Sequence, residues 1–423
     1  MISYARLREM CKCAKCVHSS TKQRLHTPKE IHDDMVRGGW MNGVPDPEML
    51  REEGRSIFIR WDKEGEHRVA LDKKALLKAV FPTTPRVFTL QSRYSRVTWR
   101  DEAELLSSVS PIEYSTRHFG EDGSFKDQQL LAEAVQRLQT HGYVRLKSVP
   151  TDATDNANCA LRYVAESIGP IRQTFYGELW DVKNKPNSTN VAYTDLNLGL
   201  HMDLLYYVDP PRFQLLHCLR NRVDGGESYF VDSFAVAYDF TNDHPAAAKL
   251  LRTHEITFEY DNDGHHLSAN RTILPSAHLK RSLEAAVSWS PPFQGVRPPL
   301  NSLPPGDRGL SSAYLRAHFQ VLAAQDRELV EAIALWESYL DRPKYKYEFK
   351  MEEGDLVMFD NRRVLHARRA FRDYTPEERL ANSVPPPNEG EPSRWLKGCY
   401  LDGDAVWDKL YTLYRQGANK PQP

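Results

Sequence analysis

The sequence lacks the features of a membrane or secreted protein. No run of about 18 apolar residues occurs anywhere in the 423 residues, which argues against a membrane-spanning helix. The opening residues, MISYARLREM, contain no apolar segment of the kind found in secretory signals. We therefore expect a cytoplasmic protein, or a mitochondrial one if residues upstream of Met1 are missing from this sequence.

An excess of charge of either sign is also lacking. The 56 Lys and Arg residues are balanced by 57 Asp and Glu residues, so no overall field attracts nucleic acid or an anionic membrane. A chain of this length can bury a substantial core without disulfides. We expect a small amino-terminal domain with a linker over residues 1–100 and a large domain over 101–423. A segment at about 372–392, rich in proline and charge, is expected to be a surface insertion.

Cysteine is scarce, with six residues, but three of them lie within one stretch of six positions. These three are Cys11, Cys13 and Cys16. Their spacing is too tight for easy disulfide pairing, whereas three thiolates suit one zinc ion and leave a tetrahedral position for a histidine. His67, in a strand-like context, is the first candidate for that position. The alternatives are His18, His26 and His32.

Short apolar segments dominate the chain after residue 210. Examples are FQLLHCL, SYFVDSF and DLVMFD, which are separated by glycine-containing turns. Many short strands at such spacing predict a jelly-roll or barrel core. Amphipathic patterns, such as DQQLLAEAVQRLQTHG, predict helices outside that core. The fold class is therefore expected to be mainly β with flanking helices.

A possible iron site lies in LGLHMDLL at 198–205. His201 and Asp203 are two residues apart, so on a strand both side chains would project from one face. A His and a carboxylate supply two ligands of a facial triad, which suits an Fe(II) oxygenase. The second His is expected to be His366, at the end of FDNRRVLH. A structural His–Asp pair is the alternative, but a β core followed by this second motif favours iron.

These motifs resemble those of the iron- and 2-oxoglutarate-dependent dioxygenases, and within them the group of γ-butyrobetaine and trimethyllysine dioxygenases. RLREMCKCAKC, FYGELW, NVAYT and LLHCLRNRVDGGESYFVD extend the resemblance over nearly the whole chain. The resemblance implies a double-stranded β-helix, Fe(II), 2-oxoglutarate and O2, with ascorbate as a candidate stimulant. It also implies a zinc-binding amino-terminal domain whose ligands are Cys11, Cys13, Cys16 and His67.

The distal carboxylate of 2-oxoglutarate needs a cation, best supplied by a guanidinium. Arg394 heads RWLKGCY and is similar to the family's arginine, which lies six residues before a tyrosine. Arg379, in the charged insertion, is the alternative. Arg368 and Arg369 adjoin the iron motif and are expected to form local salt bridges.

Four aromatic residues match the family's cage for a quaternary ammonium group, in which ring faces attract the cation. They are Tyr176, Trp180, Tyr193 and Tyr400. Asn190 matches a residue that contacts the substrate carboxylate. The stretch VSWSPPFQG at 287–295 departs from the family's asparagine-rich carboxylate clamp, and Trp289 and Phe293 are expected to add apolar surface there instead.

The resemblance implies hydroxylation of an aliphatic C–H bond in a small betaine-like carboxylic acid such as γ-butyrobetaine, as in carnitine biosynthesis. The alternative is the same cofactor chemistry on another small amine or amino acid, with desaturation, cyclisation or N-demethylation as further outcomes. A non-catalytic metal-binding scaffold is disfavoured by the intact triad. We expect a homodimer that acts on a small molecule with O2, without nucleic acid or membrane as partners.

Overall fold

The computed structural model describes Arg8, Cys11 and residues 13–21, 23–25, 27–37, 50–61, 67–74, 95–183, 196–276, 279, 282–296 and 312–417. The chain divides into two compact units, residues 1–93 and 94–423. Within the described ranges, no helix is long and apolar enough to cross a membrane.

The smaller unit is built on a three-stranded antiparallel sheet. Its elements are helix α1 (Pro28–Arg37) and strands β1 (Leu50–Glu53), β2 (Ser56–Arg60) and β3 (Arg68–Asp72). The predicted hairpin of SIFIRW and HRVAL is confirmed, because β2 pairs antiparallel with β3. The small core of this unit packs Ile59 and Trp61 against Cys11 and Cys16.

The larger unit begins with helices and strands that alternate. They are α2 (Glu102–Ser108), β4 (Ile112–Glu113), α3 (Gln128–His141), β5 (Tyr143–Lys147), α4 (Ala160–Ile168) and β6 (Leu179–Lys183). The predicted amphipathic helix is confirmed as α3. Asp127 caps its first turn, and Gly142 ends it in the left-handed conformation, with φ of 73°. The chain can therefore turn directly into β5.

The middle of the larger unit contains strands β7 (Leu198–His201), β8 (Phe213–Asn221), β9 (Val223–Gly225), β10 (Ser228–Asp232), β11 (Glu255–Asn262) and β12 (His265–Thr272). Two helices, α5 (Ser233–Asp243) and α6 (Pro245–Thr253), precede the β11–β12 hairpin. A long helix, α7 (Ser312–Leu340), follows and confirms the helical pattern expected there.

The last part supplies strands to both main sheets. Its elements are β13 (Tyr347–Phe349), β14 (Leu356–Asp360), β15 (Val364–Arg368), β16 (Phe371–Asp373), α8 (Pro376–Ala381), β17 (Arg394–Leu401) and α9 (Gly403–Arg415). One sheet has the order β4-β5-β14-β8-β17-β6, and the other has the order β13-β10-β15-β7. Apart from β4 and β5, strands that lie side by side in these two sheets are not consecutive in the chain, so crossover connections join them.

The two sheets share a buried core. Side chains from both, including Phe230 of β10 and Phe359 of β14, belong to one hydrophobic cluster with Trp99. A second cluster joins Leu365 of β15 to α5, α6, α7 and the β11–β12 hairpin. The fold is therefore mixed α/β, with two sheets at its centre and helices outside them.

The segment expected to be a surface insertion is mostly exposed, but it does not lack a strand. Its first residues, Arg372 and Asp373, continue β16, which pairs antiparallel with β9. The prediction of no strand is therefore wrong at this end, because Phe371 is buried and draws the next residues into pairing. Helix α8 follows, and a capping box of Thr375 and Glu378 stabilises its first turn.

Candidate functional site

The two histidines of the expected iron site meet because their strands pair. β15 runs antiparallel to β7, and His366 lies opposite His201, with ring centroids 4.2 Å apart. The Nε2 atoms of His201 and His366 lie 3.4 and 3.9 Å from Oδ1 of Asp203. All three donor atoms lie within 4.8 Å of one another.

Asp203 does not lie on the same strand as His201, contrary to the prediction from their spacing. We expected His201 and Asp203 on one continuous strand, but β7 ends at His201. Asp203 lies in the turn that follows, next to Leu204, whose φ of 60° is left-handed. His201 thus lies at the end of a strand and Asp203 in the turn after it, so the prediction that both lie on one strand face is wrong.

The donor atoms of the three groups suit a metal. A carbonyl oxygen only accepts, so the 2.8 Å contact of His201 Nδ1 with Gly199 O places hydrogen on Nδ1, and Nε2 is the atom that faces Asp203. Burial, with His201 nearby, lowers the pKa of His366 to about 3. Burial alone would raise the pKa of Asp203, but its contacts with His201, His366 and the Tyr400 hydroxyl lower it. Two imidazoles and one carboxylate form a donor set that fits Fe(II) with positions left open.

A cavity of about 80 Å³ adjoins the triad and also contains Arg394 at its wall. Arg394 is 4% exposed, and no carboxylate in the described part of the chain lies within salt-bridge distance of it. Its Nε has no described hydrogen-bond partner, and its guanidinium lies 5.2 Å from the ring centre of Phe371. Burial lowers the pKa of Arg394 to about 10, so the group stays charged at neutral pH and is suited to an incoming anion.

The other three arginines are placed differently. Arg379 donates from Nε to Tyr374 O at 3.3 Å and does not line the cavity. Arg369 forms the expected local salt bridge, at 2.8 Å from Glu348. Arg368 lines the same cavity as Arg394 and donates to Leu196 O at 2.6 Å.

Two of the expected cage residues lie side by side. Trp180 on β6 lies opposite Gly398 on β17, and its ring centre is 5.2 Å from that of Tyr400. The Tyr400 hydroxyl donates to Asp203 Oδ2 at 2.7 Å. Tyr176 bonds with the Tyr206 hydroxyl at 3.3 Å. The remaining two predicted residues, Asn190 and Tyr193, lie outside the described residues.

The stretch at 287–295 contributes aromatic surface. Trp289 is buried, and its carbonyl accepts from Met202 N–H at 2.8 Å, directly before Asp203. The Phe293 ring packs against Tyr206 and Tyr260, at 5.2 and 6.1 Å between ring centres. The expected apolar surface is therefore present, as part of a cluster of aromatic rings.

Two further residues near the triad are not predicted by the sequence motifs. Gln214 lines the cavity, and its Oε1 is buried without a described partner. Gln214 could have been identified from the sequence, because it is a polar residue within the otherwise apolar segment FQLLHCL. Asn361 holds the backbone of Asp203, accepting from its N–H at 2.8 Å and donating to its carbonyl at 3.0 Å. This asparagine lies inside FDNRRVLH, but its distant partner could not be read from the sequence.

The amino-terminal unit brings together the four expected zinc donors. Donor atoms of Cys11, Cys13, Cys16 and His67 lie within 4.8 Å of one another, and His67 Nε2 is 3.1 Å from Cys16 Sγ. Burial raises the pKa of Cys16 to about 12. The alternative ligand His18 is exposed and accepts from Thr21 N–H at 3.2 Å, while His26 lies outside the described residues.

Comparison with known proteins gives one family and several relatives. Residues 111–400 match the sequence profile of the family described as 'Taurine catabolism dioxygenase TauD, TfdA family'. The chain is 37% identical over 404 residues to dioxygenase str8 of Strobilurus tenacellus, covering 95% of this chain and 83% of that protein. It is 28% identical to γ-butyrobetaine dioxygenase of Pseudomonas sp. strain AK-1, covering 97% and 89%. It is 22% identical to trimethyllysine dioxygenase of Meyerozyma guilliermondii, covering 86% and 83%.

The close packing of Trp180 on Gly398 yields a test of the site. A Cβ at Gly398 would lie within 3.0 Å of three Trp180 ring atoms, so Gly398→Ala should displace the ring and destabilise the protein by about 1–3 kcal/mol. Urea unfolding and tryptophan fluorescence measure the two effects. Gly199→Ala, where a Cβ meets nothing within 4 Å, is the matched control and should show neither. Equal stability of the two variants would contradict the packing described.

Proposed function

The chain belongs to the TauD/TfdA dioxygenase family and is a 2-oxoglutarate-dependent oxygenase, and we propose that His201, Asp203 and His366 hold its Fe(II). The support is the donor set itself, in which two imidazoles and a carboxylate converge at one side of a cavity. We also assign the two packed sheets as a double-stranded β-helix. When bound, iron with 2-oxoglutarate and O2 supplies the oxidation of an aliphatic C–H bond.

The observation that carries this proposal is the buried cation in the same cavity as the triad. A guanidinium without a carboxylate partner is costly to bury, and Arg394 meets this description within the described residues. The distal carboxylate of 2-oxoglutarate would neutralise it with charge-assisted hydrogen bonds. The keto-acid end would then lie toward the triad, and the apolar walls would keep water away.

For the substrate we propose a small betaine-like carboxylic acid whose trimethylammonium group contacts Trp180 and Tyr400. Trp180 lines the cavity with the triad and Tyr400 bonds to Asp203, and ring faces attract a cation more strongly where water is excluded. Relatives named for γ-butyrobetaine and trimethyllysine, in both of which a trimethylammonium group occurs, support this choice. Tyr176, Tyr193 and Asn190 are proposed to complete the substrate site.

A second candidate is the same chemistry on another small amine or amino acid. Phe293, Tyr206 and Tyr260 form an aromatic surface of three packed rings. Such a surface favours a substrate with an apolar end over one that is anionic there. Hydroxylation, desaturation, cyclisation and N-demethylation all remain compatible with this candidate.

We propose that the amino-terminal domain binds a structural zinc ion through Cys11, Cys13, Cys16 and His67. Three sulfur atoms and one imidazole nitrogen make a closed tetrahedral set, which typifies structural rather than catalytic zinc. The set forms part of the small core of this unit, so zinc binding would contribute to folding there. Stimulation by ascorbate and a homodimeric state stay predictions.

The arginine assignment predicts a difference between two variants. Arg394→Ala should weaken 2-oxoglutarate binding by about 1.5–3 kcal/mol, because a charge-assisted contact pair is lost. Arg379→Ala, which removes an arginine outside the cavity, should leave it unchanged. Calorimetric titration of 2-oxoglutarate into the metal-loaded proteins measures both. A penalty confined to Arg379→Ala would show that the wrong arginine has been assigned.

The cage predicts that charge, and not shape alone, selects the substrate. A desolvated cation–π contact is worth about 2 kcal/mol, so Trp180→Leu should weaken a trimethylammonium substrate roughly thirtyfold. The control ligand is its neutral tert-butyl analogue, which has the same shape. In the parent protein the cation should bind more tightly, and in Trp180→Leu this advantage should shrink. Equal binding of the two ligands by the parent protein would favour the second candidate substrate.

The zinc assignment predicts that zinc binding depends on His67 and not on His18. His67→Ala should lose most of the zinc measured by elemental analysis of purified protein, since it removes one of four donors. His18→Ala, which changes an exposed histidine of the same unit, should retain one zinc per chain. Retention of zinc by both single variants and by a Cys11/Cys13/Cys16 triple variant would refute the assignment.

A further inference from the structure

The turn that carries Asp203 contains a residue with an unusual backbone conformation. The residue after it, Leu204, has φ of 60°, a conformation that brings Cβ close to a carbonyl oxygen and is disfavoured for residues other than glycine. Leu204 is nevertheless buried in the core. Surrounding contacts must therefore fix this turn, and with it the direction in which Asp203 points.

Asn361 supplies the contact that fixes the backbone. Its side-chain amide bonds with both the N–H and the carbonyl of Asp203, and its Nδ2 also donates to Pro211 O at 3.3 Å. Asn361 is fully buried and belongs to the turn between β14 and β15. The turn that leads into the strand of His366 is thereby tied directly to the peptide unit of Asp203.

Tyr400 fixes the other end of the residue. Its hydroxyl donates to Oδ2 of Asp203 at 2.7 Å, while Oδ1 faces both imidazole Nε2 atoms. The two carboxylate oxygens are therefore in different surroundings, one bound by a phenol and the other facing the metal position. Tyr400 comes from β17, which carries Arg394 on the same strand face at even spacing.

We propose that Tyr400 is a positioning residue, which holds Asp203 so that Oδ1 alone is offered to the metal. This inference rests on the proposed iron site. If Asp203 bound the metal through one oxygen, more positions beside the two histidines would stay open for 2-oxoglutarate and O2 than if it bound through both.

The ring and the hydroxyl of Tyr400 can be separated experimentally. Tyr400→Phe retains the ring that packs on Trp180 and removes only the bond to Asp203. Tyr345→Phe is the matched control, since Tyr345 is also buried and its hydroxyl donates to Asp239 at 2.8 Å. It removes a bond of the same kind between groups that do not line the cavity.

The experiment is a titration with Mn(II), followed by loss of the free-ion EPR signal, on protein purified with its zinc. Mn(II) prefers oxygen and imidazole donors and should leave the thiolate cluster alone. Tyr400→Phe should bind Mn(II) about 10- to 100-fold more weakly than the parent, as is typical when a group that orients a metal ligand is lost. Tyr345→Phe should bind it as the parent does, even if it is less stable.

A second titration in saturating 2-oxoglutarate tests the single-oxygen arrangement. The parent should bind Mn(II) more tightly when 2-oxoglutarate is present, and this gain should be smaller in Tyr400→Phe. If Tyr400→Phe binds Mn(II) as tightly as the parent does, Tyr400 has no positioning role. If 2-oxoglutarate increases the Mn(II) affinity of Tyr400→Phe as much as it does that of the parent, Tyr400 does not control how many metal positions stay open. If the parent binds Mn(II) no more tightly than Asp203→Ala does, the proposed iron site itself is wrong.

Discussion

The pairing of β7 with β15 is the constraint on which the rest of the site depends. It places His201 opposite His366, so two residues that are far apart in the chain present their Nε2 atoms to one point. Asn361, at the start of the turn into β15, then ties the Asp203 backbone to the same strand pair. A shift of this pairing by one residue would turn one imidazole to the other face of the sheet and remove the site.

Two buried arginines in this fold differ in what surrounds them. Arg363 is completely buried, yet it is neutralised by Asp232 through two hydrogen bonds of 3.0 and 2.7 Å. It also donates to Thr140 O at 2.8 Å, so it joins the turn before β15 to β10 and α3. Such a pair is satisfied within the protein and needs no ligand. Arg394 is buried to a similar degree without a described carboxylate, and it lines the cavity beside the triad, a combination suited to binding an anion.

The residue just before the insertion packs against two arginines of the cavity wall. The ring centre of Phe371 lies 4.9 Å from the guanidinium of Arg368 and 5.2 Å from that of Arg394. Pairing of β16 with β9 holds this ring in place. Both arginines line the cavity beside the triad, and two cations at one wall are suited to a carboxylate.

The sequence by itself determined the donor chemistry, because ligand type follows from residue type: Cys11, Cys13 and Cys16 within six positions, and His201 two residues before Asp203. It also determined the hairpin of β2 and β3 and helix α3, since both depend on local periodicity and capping. Only the tertiary structure decided that Asp203 lies in a left-handed turn, that Asn361 and Tyr400 hold it, and that Arg394 lacks a described carboxylate partner. These properties depend on contacts between segments separated by more than a hundred residues, and no local pattern encodes which side chains will meet across two sheets.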